Sequence, residues 1–184
     1  MMLGMAGASH ATILTFDDIP GVQQDWFGGI GSYGGYDFHS TSSGDRLDWI
    51  DTVSNNWNYG AISGDFTMLN NYYDNGKIVS SNGGDFTFDG LWARVWADQD
   101  DRLVNIEGYN NGTLIWSYNE MLTSTWTNFS GHAGAIDDLR LNFGANFLVD
   151  NLALTHSQPV PEPASMLLMC TGLAGLIGAR RKKK

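Results

Sequence analysis

Two acidic pairs, Asp17-Asp18 and Asp150-Asn151, carry the side chains in this 184-residue sequence best suited to holding a cation. Read as strands, alternation sets Asp18 on the face of Leu14 and Phe16, and Asp150 on the face of Leu148, Leu152 and Leu154. A carboxylate turned toward a core needs a partner or a bound ion. Aromatic side chains are the second resource. Trp26, Trp49, Trp57, Tyr59, Trp92, Trp96, Trp116 and Trp126 are dense for a chain of this size. Flat rings stack on sugar rings, and Trp92 and Trp96 share a parity opposite Ala93 and Val95, which makes them the candidate glycan-binding pair. Against that stands core packing, the usual fate of Trp in a sandwich.

Catalytic readings find little support. His39, His132 and His156 are too scattered for a metal spacing. Glu107 with Glu120 is the acid pair to nominate for glycoside hydrolysis, but 19 acids between Thr12 and Gln158 make such a pair expected by chance. Gly29-Ile30-Gly31-Ser32-Tyr33-Gly34 matches G-x-G-x-x-G without the strand before it and the helix after it that a dinucleotide needs, so it reads as a surface loop. Cys170 is the only cysteine, which rules out an intrachain disulfide and a cysteine metal site. The expectation is a protein that is not an enzyme.

The elements that must position these residues read as strands. Thr12 to Phe16 opens as one, and Tyr33 to Phe38 follows a Gly-rich loop. Phe86 to Ala97 alternates if a bulge falls at Gly90. Leu103–Tyr109 and Thr113–Tyr118 flank Asn110-Asn111-Gly112, a strong hairpin signal, and Asn75-Gly76 and Asn82-Gly83-Gly84 mark further turns. Leu139, Leu141 and Phe143 share one face, and Leu148, Leu152 and Leu154 share another. About ten short strands with this spacing predict an all-β, antiparallel, jelly-roll-like sandwich over residues 12–157. In such modules the first and last strands are often neighbours sharing a structural Ca²⁺, so Asp17 or Asp18 with Asp150 is a candidate Ca²⁺ site. The plainer alternative has these acids capping turns or accepting from backbone amides.

The two ends are built differently. Residues 164–179 are uncharged and apolar, and as a helix they cover ~24 Å against a hydrocarbon core of ~30 Å. That is a short transmembrane segment. Arg180, Arg181, Lys182, Lys183 and Lys184 then hold the C-terminus on the cytoplasmic side. Before it, residues 158–163 form a stiff linker containing Val160-Pro161-Glu162-Pro163. At the other end, residues 1–11 finish in Ser9-His10-Ala11, a small-x-small site that reads as the remnant of a signal peptide.

Pro-Glu-Pro linker, apolar span and basic end, in that order, resemble the PEP-CTERM sorting signal of Gram-negative bacteria. The resemblance covers residues 160–184. It implies recognition and cleavage by an exosortase, with Val160, Pro161, Glu162 and Pro163 as the sorting motif. It also implies transient anchoring in the inner membrane and delivery to the cell surface or extracellular matrix, in company with extracellular polysaccharide. The body is similar to the ectodomain common among such proteins through Leu14–Pro20, Tyr33–Phe38 and Leu148–Leu152, and its sheet arrangement is similar to carbohydrate-binding modules. What the resemblance implies is a structural or matrix role, with a carbohydrate-binding module as the alternative.

Charge separates the two parts. The whole chain carries −10, yet residues 12–158 hold 5 cations against 19 acids, a net of −14, and the last five residues hold +5. So acidic a body does not attract nucleic acid or anionic lipid.

Overall fold

Period-two alternation becomes thirteen strands, with no helix among the described residues. The computed structural model describes residues 11–157 apart from 43–45, 55–56, 58 and 97–99. The described residues belong to one compact unit, Ser9–Ser157. Apart from Ala11, which opens the first strand, the leader, linker, apolar segment and basic tail read from the sequence lie outside the described residues.

The strands are β1 (Ala11–Leu14), β2 (Phe27–Gly29), β3 (Ser32–Tyr33), β4 (Tyr36–Ser40), β5 (Asp48–Asp51), β6 (Phe66–Asn70), β7 (Gly76–Ser80), β8 (Phe86–Val95), β9 (Arg102–Asn110), β10 (Thr113–Leu122), β11 (Thr127–Ile136), β12 (Asp138–Asn142) and β13 (Phe147–His156). They make an all-β sandwich of two antiparallel sheets. The seven-stranded sheet runs β11-β8-β13-β6-β5-β2 with β1 on β13, and the six-stranded sheet runs β10-β9-β12-β7-β4-β3. The core between them is rich in aromatics, with Phe16, Tyr36, Phe86, Phe88, Phe129 and Phe147 fully buried.

Several local expectations hold. Asn111 (φ 49°) and Gly112 (φ 74°) make the two-residue turn between β9 and β10, with Asn110 opposite Thr113. β8 bulges where its partner on β13 steps from Ala153, opposite Gly90, to Leu154, opposite Phe88. Leu139, Leu141 and Phe143 all join the inter-sheet core.

Three parity assignments are corrected. β1 stops at Leu14, and Phe16 adopts φ 66°, so alternation does not carry through to Asp18. Tyr33–Phe38 is not one strand, because Gly34 and Gly35, both at positive φ, turn the chain between β3 and β4. In β13 the register against β8 slips between Asp150 and Ala153, and Asn151 sits at φ 48°. That bulge reverses the alternation. Phe147 and Val149 face the core before it, Leu152 and Leu154 face the core after it, and Leu148 belongs to a separate cluster with Ile50, Leu69 and Trp96.

Candidate functional site

β13 changes neighbours halfway along its length. Phe147–Val149 pair with β6, and Leu152–Thr155 pair with β1, on the same side of the strand. Asp150 and Asn151 fall in the gap between those two ladders, and a loop fills it through side-chain acceptors. Asp150 Oδ2 accepts from the amides of Ile62 (2.7 Å) and Ser63 (3.0 Å), while its Oδ1 accepts from the Asn151 amide at 2.6 Å. Ser63 Oγ donates to Asn151 Oδ1 at 2.5 Å. Asp17 Oδ1 accepts from the amides of Asp65 (2.8 Å) and Phe66 (3.1 Å). Burial pushes the Asp150 carboxyl up to about 6, against the pull of its three amides, and the Asp17 charge adds a smaller push.

Asp17 and Asp150 are therefore brought together, as the pairing of first and last strands suggested, and both clasp one segment, Ile62–Phe66. Asp18 is not part of this group. It is exposed and accepts from Tyr33 Oη. Among the described residues no group of three or more acidic, His or Cys side chains is placed to hold a metal. Three of the four carboxylate oxygens of Asp17 and Asp150 already serve five backbone amides.

Trp92 and Trp96 do lie on the outer face of the seven-stranded sheet, opposite the buried Ala93 and Val95, but they are not an open platform. Trp96 is 8% exposed, which corrects its candidacy as a sugar-stacking ring. Its indole lies 5.3 Å from Trp57 and 4.8 Å from Tyr59, ring centre to ring centre. The Arg94 guanidinium lies 4.7 Å over the Tyr59 ring, and both Arg94 Nη1 and Trp126 Nε1 donate to the Tyr59 carbonyl. Trp92, half-buried, stands across from Asp150 and Asn128. With Ile50, Leu69 and Leu148, Trp96 forms a second, smaller core, against which Tyr59 and Trp126 pack.

The outer face of the six-stranded sheet was not singled out by sequence, and it holds the most developed polar arrangement. Registers align Ser117, Glu107, Arg140, Lys77 and His39 across five strands, and Tyr109, Asp138, Val79 and Asp37 in the next row. Glu107 Oε2 accepts from Tyr109 Oη (2.9 Å) and Asn142 Nδ2 (2.8 Å). Asn142 Nδ2 also reaches Asn105 Oδ1 at 3.3 Å, and Asn105 Nδ2 donates to Ser117 Oγ at 2.7 Å. Arg140 donates twice to Asp138 Oδ2, at 3.1 and 2.9 Å, and its guanidinium lies 4.0 Å over the Tyr109 ring. Lys77 Nζ stands 3.3 Å from the same Asp138 oxygen. Asp138 Oδ1 is buried and has no partner. The hydrogen bond to Glu107 raises the Tyr109 hydroxyl, and the bond to Asp138 raises Arg140.

Two of the five body cations, Lys77 and Arg140, thus meet Glu107 and Asp138, and this quartet is charge-neutral on a body of −14. No alternation signal revealed it, since its residues come from strands far apart in the chain. The only sequence clue was the polar half of each alternating run. The acid pair Glu107 and Glu120 is separated by the same registers: Glu107 lies opposite Ser117 on this face, whereas Glu120 lies opposite the buried Val104. They face opposite sides of the sheet and cannot flank one glycosidic bond.

Comparison with known proteins adds one assignment and one outline. A family model described as the PEP-CTERM protein-sorting motif matches residues 159–182. The chain therefore carries a PEP-CTERM sorting motif, the class of signal that marks exported, surface-sorted proteins. No curated protein matches the chain. Among solved structures, the N-terminal CBM22-1-CBM22-2 tandem domain from Paenibacillus barcinonensis Xyn10C aligns at 13% identity and TM-score 0.49, covering 88% of this chain. This chain spans about half of that tandem, 49% of its length. The CBM22-1 xylan-binding domain of the same protein aligns at 12% identity and TM-score 0.47, covering 84% of this chain and all of that domain. A family 11 carbohydrate-binding module from Clostridium thermocellum, in complex with a β-1,3-1,4-mixed-linked tetrasaccharide, aligns at 15% identity and TM-score 0.36, covering 80% of this chain and 96% of that module.

Proposed function

We propose that this is an exported, non-catalytic surface or matrix protein that engages neutral polysaccharide through the outer face of its six-stranded sheet. The sorting motif at residues 159–182 supports the first half: an exosortase recognises Val160-Pro161-Glu162-Pro163 and cleaves, after transient membrane anchoring through residues 164–179. The second half rests on one observation. The quartet Glu107, Arg140, Lys77 and Asp138 is neutral and pre-ordered by its own hydrogen bonds and ion pairs. Polar groups held by one another lose little freedom when a ligand arrives. Hydroxyl-rich, uncharged chains supply both the donors and the acceptors that such a face can use. An anionic polymer would still meet the −14 body around it.

The test is affinity electrophoresis of the protein in gels containing neutral polysaccharides. Retardation is expected, and Asn142→Ala with Tyr109→Ala is expected to weaken it by about tenfold or more, as for truncation of central contact residues. Trp96→Phe is expected to leave retardation unchanged. Equal retardation of all variants would move the contact elsewhere, and none for the parent protein would leave a structural matrix role alone. The Asp17–Asp150 cation reading stays as a secondary proposal, tested below.

A further inference from the structure

The margins of the sandwich are unequal. Three edge strands are very short: β1, β2 and β3 have four, three and two residues. The two edge strands of the opposite margin, β10 and β11, have ten each. Short edges offer little to an incoming strand, whereas long ones are templates unless something covers them.

β11 is covered. Tyr118 Oη donates to the Ser130 carbonyl (2.9 Å), Asn110 Nδ2 donates to the Ala135 carbonyl (3.2 Å), and the register against β8 breaks between His132 and Ile136. β10 has less protection. Beyond its ladder to β9, two bonds involve its backbone among the described residues: the Met121 amide to Glu120 Oε1, and Asn105 Nδ2 to the Tyr118 carbonyl. Its flanks are apolar. Of the twelve large hydrophobic residues exposed among the described residues, four lie on the β9–β10 hairpin: Leu103 (66%), Leu114 (48%), Ile115 (46%) and Met121 (42%).

We propose that β10 is a self-association edge that takes β10 of a second copy of this chain as its antiparallel neighbour. Charge permits this occupant: Glu120 is the only charged side chain on β10, in a body with 19 acids, so two copies meet here with little repulsion, and β11, the other long edge, is already covered. An antiparallel pair about a two-fold axis also sets the Leu114–Ile115 end of one strand beside the Met121 end of the other. The surface is then self-complementary, as a two-fold interface requires. The resulting dimer would join two six-stranded sheets edge to edge and double the polar face.

Sedimentation velocity of the full chain in mild detergent tests this. The parent protein is expected to dimerise, and more tightly as salt rises, because salt screens the acidic bodies. Leu114→Lys with Met121→Lys is expected to weaken the dimer by about tenfold or more by placing cations opposite one another. Ser130→Lys, on the covered edge, is expected to leave it intact. Both lysine positions are solvent-facing, and an unchanged melting curve checks that the double variant folds; Met121→Lys alone replaces it otherwise. A parent chain that stays monomeric overturns the proposal. So does a double variant that dimerises as well as the parent, since the contact would then lie elsewhere.

Discussion

Asp150 shows how one side chain sets a pH response. It is fully buried, and its folded-state pKa is raised from the ordinary 3.8 to about 6. An acid with a raised folded pKa binds its proton more tightly in the folded state. Its contribution is therefore fully present below the unfolded pKa and is lost as pH rises toward the folded one. Between about pH 4 and 6 this group should lower stability with rising pH, by about 3 kcal/mol at most. Asp51 and Asp74 work in the opposite sense, because amide and hydroxyl donors hold both below the usual range even though burial pushes them up. The parent protein thus sums opposing slopes, and a comparison isolates the one of interest. Urea midpoints against pH for Asp150→Asn are expected to lack the falling component, whatever the variant's absolute offset. Running the same melts with and without a chelator decides the cation reading of Asp17 and Asp150. Coincident curves remove it. The sequence marks Asp150 as a carboxylate in need of partners but cannot name them, because two of its three amides come from Ile62 and Ser63, 88 and 87 residues earlier.

At the level of elements, the segment Ile62–Phe66 acts as a strap held by the carboxylates of Asp17 and Asp150. Gly64 is its hinge, at φ 59°, and a Cβ there would overlap the Asp17 carboxylate. Gly64→Ala therefore strains the backbone and displaces the acceptor of two amides. We expect it to lower stability by ~2 kcal/mol or more, read as a shift in the urea midpoint. Gly60→Ala strains the backbone similarly, at φ 69°, but meets open space, so its loss should be smaller. Strands were the legible part of the chain. The Asn111-Gly112 hairpin and the bulge at Gly90 follow from local chemistry, since both need a backbone conformation that Gly supplies. The bulge at Asn151 was not legible. Leu148, Leu152 and Leu154 share one parity and suggest a single continuous face across the adjacent polar residues Asp150 and Asn151, whereas the strand changes partner there from β6 to β1. A one-residue slip moved Leu148 and Asp150 to the other face, as slips of that size must.

For the whole molecule, charge was the most informative sequence property and topology the least. The split between a −14 body and a +5 tail is visible by counting, and the sorting motif falls on the basic side of that split. If an exosortase removes the tail, intact-mass measurement of extracellular protein will find no species containing residues 164–184. Their persistence outside the cell would contradict cleavage. The polar face and the long free margin at β10 depend on which strands become neighbours. Glu107, Arg140 and Lys77 are adjacent only because β12 lies between β9 and β7. No local pattern carries that information.

The position of β13 has one more effect, on the order of assembly. Ala11 pairs with Thr155, 144 residues away, and the same strand also pairs with β6 and β8. Until β13 is present, the seven-stranded sheet lacks the member that joins three of its neighbours. Such long-range closure puts folding in the slow regime, milliseconds to seconds. The first strand of the body therefore has no ladder partner until the last one has been made.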